Sequence, residues 1–201
     1  MKSLKWHQVN AWRVSQHCLL PRLKSQNFVK AVTRTGGIQA QVMSAAELAL
    51  WARVDKLARK DIQAALWQDR TLVKTWAMRG TLHLISASEL PLYVAARSLY
   101  ETRNWDHYFA YYGLTPAQHR AFLAAIPQVL GSNPMTREEL ATAVAEHISV
   151  PKLRSLILSS SWGSPLKPSA FRGDLCFGPK RGVTVTFVYP RKWISKWRPC
   201  L

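Results

Sequence analysis

The sequence predicts an α+β fold, mainly α, made of tandem winged-helix units: helix-turn-helix cores, each extended by a β-wing. Three observations predict it. Two β-rich pairs of segments, Leu72–Ala77 with Thr81–Ile85 and Asp174–Phe177 with Val183–Tyr189, close on turns that contain glycine. Each pair follows a run of short helical segments, so the same plan occurs twice although identity between the halves is low. With 48% apolar residues in 201, the chain can bury one or two cores and is not a disordered basic tail.

In chain order, Ala11–Leu20 has helical character and stops at Pro21, and Ser25–Thr35 reads as a second short helix with Ser25 as N-cap. Gly36-Gly37 breaks that helix. Ile38–Val42 alternates apolar and polar, the pattern of a short strand with Ile38, Ala40 and Val42 facing a core. Ser44 with Glu47 reads as a capping box opening a helix to about Val54, and a third helix runs from Lys60 to Gln68. Met78-Arg79-Gly80 turns the first hairpin. The order helix, strand, helix, helix, hairpin is that of a winged helix, whose second short helix would be offered to a DNA groove. In the second half, Thr115–Leu130 is helical, Gly131–Pro134 breaks it, and Thr136 with Glu139 caps a helix to about His147. Val150–Ser161 follows, with Pro151 tolerated in the first turn. The loop Gly178-Pro179-Lys180-Arg181-Gly182 is then the second wing. These elements divide the chain into a first winged-helix domain (1–87), an aromatic-rich helical connector (88–114) and a second winged-helix domain (115–201). The connector carries Tyr93, Tyr100, Trp105, Tyr108, Tyr111 and Tyr112, expected to pack between the units. Trp51, Trp67, Trp76 and Trp162 are expected in the cores.

The net charge is +17, and its placement says more than its sum. Residues 1–46 carry +7 with no acid, 47–146 carry +1, and 147–201 carry +9 with Asp174 as the one acid. Cationic folded ends point to a polyanionic partner, nucleic acid ahead of membrane. No apolar run is long enough to span a bilayer, and none of signal-peptide length follows the basic start, so a cytoplasmic, nucleoid-associated protein is expected. Cys18, Cys176 and Cys200 are odd in number and widely spaced, which suits reduced thiols and neither a disulfide framework nor a zinc site.

P-loop, GxGxxG, HExxH and paired-cysteine motifs are missing from the sequence, so no metal and no cofactor is expected. His17 and Cys18 are adjacent, but adjacency on a helix does not supply the geometry of a catalytic Cys–His pair. Glu47 and Glu139 have capping roles, and Asp55, Asp61 and Asp69 sit near helix ends, which leaves a paired-carboxylate hydrolase poorly supported. Gln39 and Gln41 stand apart. Two residues apart on a strand, they face one side, where parallel amides hold a water or read a base edge. The spacing alone favours an ordinary polar strand face.

Gly36-Gly37-Ile38-Gln39-Ala40-Gln41, Trp76-x-Met78-Arg79-Gly80-Thr81-Leu82-His83-Leu84 and Leu175-Cys176-Phe177-Gly178-Pro179-x-x-Gly182-Val183-x-Val185-Thr186-Phe187 occur in this order. The set resembles the tandem winged-helix DNA glycosylases of the AlkZ type, and the resemblance runs over nearly the whole chain. It implies excision of bulky N7-alkylated bases and unhooking of interstrand crosslinks, with Gln39 and Gln41 at the catalytic Gln-aliphatic-Gln positions. Members of that family are about twice as long, so a truncated member is expected. A non-enzymatic DNA-binding protein and an inactive fragment are the alternatives. Candidate DNA contacts are Arg34, Arg53, Arg59, Lys60, Lys74, Arg79 and His83 in the first unit and Lys152, Arg154, Lys180 and Arg181 in the second. The expected partner is double-stranded DNA, alkylated or crosslinked, bound by a monomer without a membrane.

Overall fold

A computed structural model describes residues 3–99, 104–131, 133–195 and 197. Helix α1 (Trp6–Gln16) leads through strand β1 (Leu23–Lys24) and a 3-10 turn, Ser25–Asn27, to α2 (Phe28–Arg34). Then come β2 (Ile38–Gln39), α3 (Met43–Trp51), β3 (Val54–Asp55), α4 (Arg59–Trp67) and the hairpin β4 (Leu72–Ala77) with β5 (Thr81–Ser86). Helices α5 (Leu90–Leu99) and α6 (Trp105–Tyr111) connect to α7 (Pro116–Leu130), β6 (Met135–Thr136), α8 (Arg137–His147), α9 (Lys152–Ser159) and α10 (Lys167–Phe171). The chain closes with β7 (Cys176–Arg181), β8 (Thr184–Val188) and α11 (Pro190–Trp193).

The winged-helix plan appears twice. Beside a short parallel pair, β1 with β3, the two three-stranded sheets run β2-β5-β4 and β6-β8-β7, so in each of these the short first strand pairs antiparallel with the last strand of the hairpin. Turn chemistry accounts for much of this. Met78 and Gly80 both adopt positive φ around the first wing turn. Thr115 and Thr136 accept from the backbone N–H of Gln118 and Glu139, and those side chains accept in return from the cap N–H groups, closing capping boxes at α7 and α8.

The two units do not pack separately. Trp76 of β4 lies 4.9 Å from the Phe177 ring and 6.2 Å from Phe187, and it belongs to the core built by α7, α8 and α9. A Cβ on Gly163 would sit 2.9 Å from the Trp76 ring, so only glycine lets the indole seat there. A second core, with Val32, Ile38, Leu50, Ile62, Leu66 and Leu84, fills the first unit.

Several expectations fail locally. The first helix spans Trp6–Gln16 instead of Ala11–Leu20, and Ser25 starts the 3-10 turn without capping α2. The strand ends at Gln39, and Val42 is exposed because it is already the N-cap of α3. Ser44 and Glu47 form no capping box; Glu47 is buried and its carboxylate meets Arg59 at 2.8 Å, since α3 and α4 face each other there. Pro179-Lys180-Arg181 is strand with a bulge, leaving Gly182-Val183 as the turn of the second wing. Trp105 is buried and Tyr108 packs on it at 5.6 Å, but Tyr111 and Tyr112 are exposed, and Tyr100 lies outside the described residues. Trp76 is core and Trp67 half-buried, whereas Trp51 and Trp162 are exposed. Cys18 and Cys176 are buried free thiols, burial pushing the Cys176 thiol far up; Cys200 lies outside the described residues. Among the described residues, no helix is long and apolar enough to cross a membrane.

Candidate functional site

The Gln39-Ala40-Gln41 segment is placed by what precedes it. Gly37 N–H returns to Val32 O at 2.8 Å and ends α2, and Gly37 has φ +97°. A Cβ there would meet Leu84 O at 3.2 Å, so the glycine lets the chain turn tightly against β5. Ile38 then pairs with Leu84 and Gln39 with His83. Past the end of the strand, Ala40 N–H still donates to Leu82 O at 2.7 Å. The return bond is made by a side chain: Leu82 N–H donates to Gln41 Oε1 at 3.4 Å. Gln41 thus supplies the acceptor that an ordinary ladder would take from the main chain. This fixes which end of its amide faces β5 and leaves one Oε1 lone pair and the NH₂ group for other partners.

Ala40 is fully buried, and both glutamines are exposed. They open into one cleft of about 510 Å³. Its floor is a face of α3 that carries Ala45 and Ala49, with Gln41 just before the helix and Arg53 just after it, at a spacing of four residues throughout. The two alanine side chains are what leave it open. His17, the C-cap of α1, and Thr35 complete the rim. The lining contains no carboxylate among the described residues. A larger apolar cleft of about 770 Å³ opens elsewhere, beside α5 and α10, and contains neither glutamine.

The remaining candidates fall into distinct situations. Arg34 Nη2 donates to Gln16 Oε1 at 3.2 Å and holds the end of α1. Arg59 is bound to the buried Glu47. Lys60 is exposed on α4, and Arg79 is exposed at the tip of the first wing. Lys74 is half-buried with its ammonium 5.6 Å over the Phe177 ring; burial, and then the charge of Lys180, hold it below the ordinary lysine range. His83 Nδ1 lies 3.0 Å from Thr81 O, opposite Gln39. In the second unit, Lys152 donates to Gly113 O, Arg154 pairs with Glu138 at 2.8 Å, and Arg181 pairs with Glu139 at 2.6 Å. The bond from the Thr136 backbone N–H, and then that from Arg181, hold the Glu139 carboxyl below its usual range. Lys180 is exposed.

Gln39, Gln41 and Arg53 are therefore brought together, and the other cations are not in their cleft. His17, Ala45 and Ala49 are the lining residues that sequence reading missed. The four-residue spacing from Gln41 to Arg53 is a signal for the alanines once a helix is assigned there, while nothing in the sequence ties His17 to the glutamines.

Residues 32–199 match the family described as DNA glycosylase AlkZ-like. Over 187 residues the chain is 37% identical to the interstrand DNA cross-link repair glycosylase of Streptomyces sahachiroi, across 92% of this chain and 49% of that protein. The solved structure of Streptomyces sahachiroi DNA glycosylase AlkZ superposes with a TM-score of 0.83 at 36% identity, covering 100% of this chain and 53% of that one. The chain spans about half the length of the relatives it matches.

Proposed function

The chain belongs to the AlkZ-like DNA glycosylase family, and from that premise we propose that it binds duplex DNA and hydrolyses the glycosidic bond of N7-alkylated purines, crosslinked ones included. The observation that carries this reading is the pair of amides, Gln39 and Gln41, opening together into one cleft without a carboxylate.

The chemistry suits amides. Alkylation at N7 makes a guanine cationic, so when the C1′–N9 bond breaks the electron pair neutralises the departing base, and no strong general acid is required. Water then adds to the oxocarbenium-like C1′ and its proton passes to solvent. Gln39 Oε1 accepts from that water and orients it. Gln41, its amide held by Leu82 N–H, presents its remaining lone pair to the developing positive charge. A neutral amide is too weak a base for unalkylated nucleotides, which confines the reaction to labile lesions.

In this reading both units contact the phosphates. Arg34, Arg53, Lys60, Lys74, Arg79 and His83 serve from the first unit (1–87), and Lys152 and Lys180 from the second (115–201), across the connector (88–114). Arg59, Arg154 and Arg181 contribute long-range field, being bound to Glu47, Glu138 and Glu139. The protein acts as a monomer, without metal or cofactor, on chromosomal DNA in the cytoplasm.

The test is release of free 7-methylguanine from a duplex carrying that lesion. The wild-type chain is expected to release it, and Gln39→Ala and Gln41→Ala each to slow release about a hundredfold, the scale of losing one preorganised dipole. Binding without any release of base by the wild-type chain would make this a non-enzymatic DNA-binding protein.

A further inference from the structure

We propose that Arg53 grips a DNA phosphate inside the glutamine cleft and so sets the register of the duplex over Gln39 and Gln41; this deepens the function proposed above and rests on it. Three other arginines of the first unit are already engaged: Arg22 with Asp55 at 3.0 Å, Arg59 with Glu47 at 2.8 Å, and Arg34 with Gln16 at 3.2 Å. Arg53 has no carboxylate partner among the described residues, and it lines the cleft that holds both amides.

Its placement is fixed by the chain on either side. The Arg53 carbonyl accepts from Leu23 N–H at 2.8 Å, and its own N–H donates to Leu50 O at 2.9 Å. The side chain turns back along α3, where Nη1 donates to Ala49 O at 2.7 Å. Nε is buried without a partner, and Nη2 makes no hydrogen bond among the described residues. A half-buried guanidinium, pinned at one nitrogen and unneutralised, in a cleft floored by alanines, calls for an anion with oxygen acceptors. On a duplex seated over the glutamines, the anions within reach are phosphodiesters of the target strand. A charge-assisted bond from a fixed donor there would locate the target sugar, as the exposed lysines on flexible stems cannot.

Fluorescence-anisotropy titrations of a duplex carrying one 7-methylguanine, from about 50 to 200 mM salt, test it on wild type, Arg53→Gln and Arg53→Lys, with thermal midpoints and 7-methylguanine release measured alongside. Arg53→Gln is expected to weaken binding about tenfold and to shorten the slope of log affinity against log salt by about 0.9, one phosphate. It should also raise KM more than it lowers kcat. Arg53→Lys should keep the slope while losing part of the affinity. An unchanged slope in Arg53→Gln overturns the proposal. So does a fall in thermal midpoint with binding by the folded protein unaltered, which would leave Arg53 a cap of α3 alone. A shortened slope in a protein that releases no base would support Arg53 and refute the glycosylase reading. No binding by wild type would refute both.

Discussion

Arg59→Ala separates stability from DNA contact. The Glu47 side chain is 4% exposed, and the Arg59 side chain that neutralises it is 66% exposed. Two nitrogens reach the same carboxylate oxygen, Nη2 at 2.8 Å and Nε at 2.9 Å. Removing one partner of a fully buried pair costs roughly 3–5 kcal/mol, because a charge remains in low dielectric. Here the arginine stands largely in water, and water enters where its guanidinium was, so the cost falls to about 2 kcal/mol, between the buried and the exposed limits. For a chain of this size that lowers the thermal midpoint by roughly 4–8 °C. Glu47→Gln in the same chain removes the stranded charge, so the double variant should recover at least half of the loss. The cycle would then give a coupling of about 1–2 kcal/mol. Calorimetric midpoints of wild type, both single variants and the double variant measure this, and anisotropy with undamaged duplex DNA measures affinity. Arg59→Ala should weaken binding by less than threefold. The reasoning is refuted if the midpoint of Arg59→Ala stays within about 1 °C of wild type while affinity drops tenfold, for then Arg59 serves the phosphates and not Glu47.

Trp76→Ala should cost about 3–5 kcal/mol, the range for an excised core aromatic, because its ring seats on Phe177, Phe187 and Gly163. Because that indole carries the first unit's hairpin into the core of the second, urea unfolding followed by fluorescence and by circular dichroism should split from one coincident transition into two. Lys74→Met should stabilise the chain at neutral pH. Burial holds the folded lysine below its ordinary 10.5, so the unfolded chain binds more protons between the two values and wild-type stability rises with pH across that window. The advantage of the methionine variant should therefore shrink as pH climbs toward 10.5, and denaturant midpoints at pH 7 and pH 10.5 check it.

The part of the fold that was legible in the sequence is the part written in short-range signals. Glycines at positive φ, Thr–Gln and Thr–Glu caps and the β-rich runs act within a few residues. They located both wings, α7 and α8, and the break before Ile38. The amide pair was legible for the same reason: Gln39 and Gln41 share a side because of a two-residue period, although the strand ends between them. Capping signals failed where a stronger distant partner existed. Glu47 has the spacing of a capping residue from Ser44, yet burial against α4 and the Arg59 guanidinium outweigh one exposed N-terminal hydrogen bond.

By itself, then, the sequence determined two wings, two unequal cationic ends and a pair of glutamines two residues apart. Only the tertiary structure decided which cations are free. Arg59, Arg154 and Arg181 are tied to acids 12, 16 and 42 residues away, distances over which no periodicity carries information. Arg53, identical to them as a letter, lies beside the glutamines with no acid partner among the described residues. Charge composition adds up along a chain, but neutralisation depends on which groups folding brings within about 4 Å of one another, and that is a property of the packing of α3, α4 and the wings.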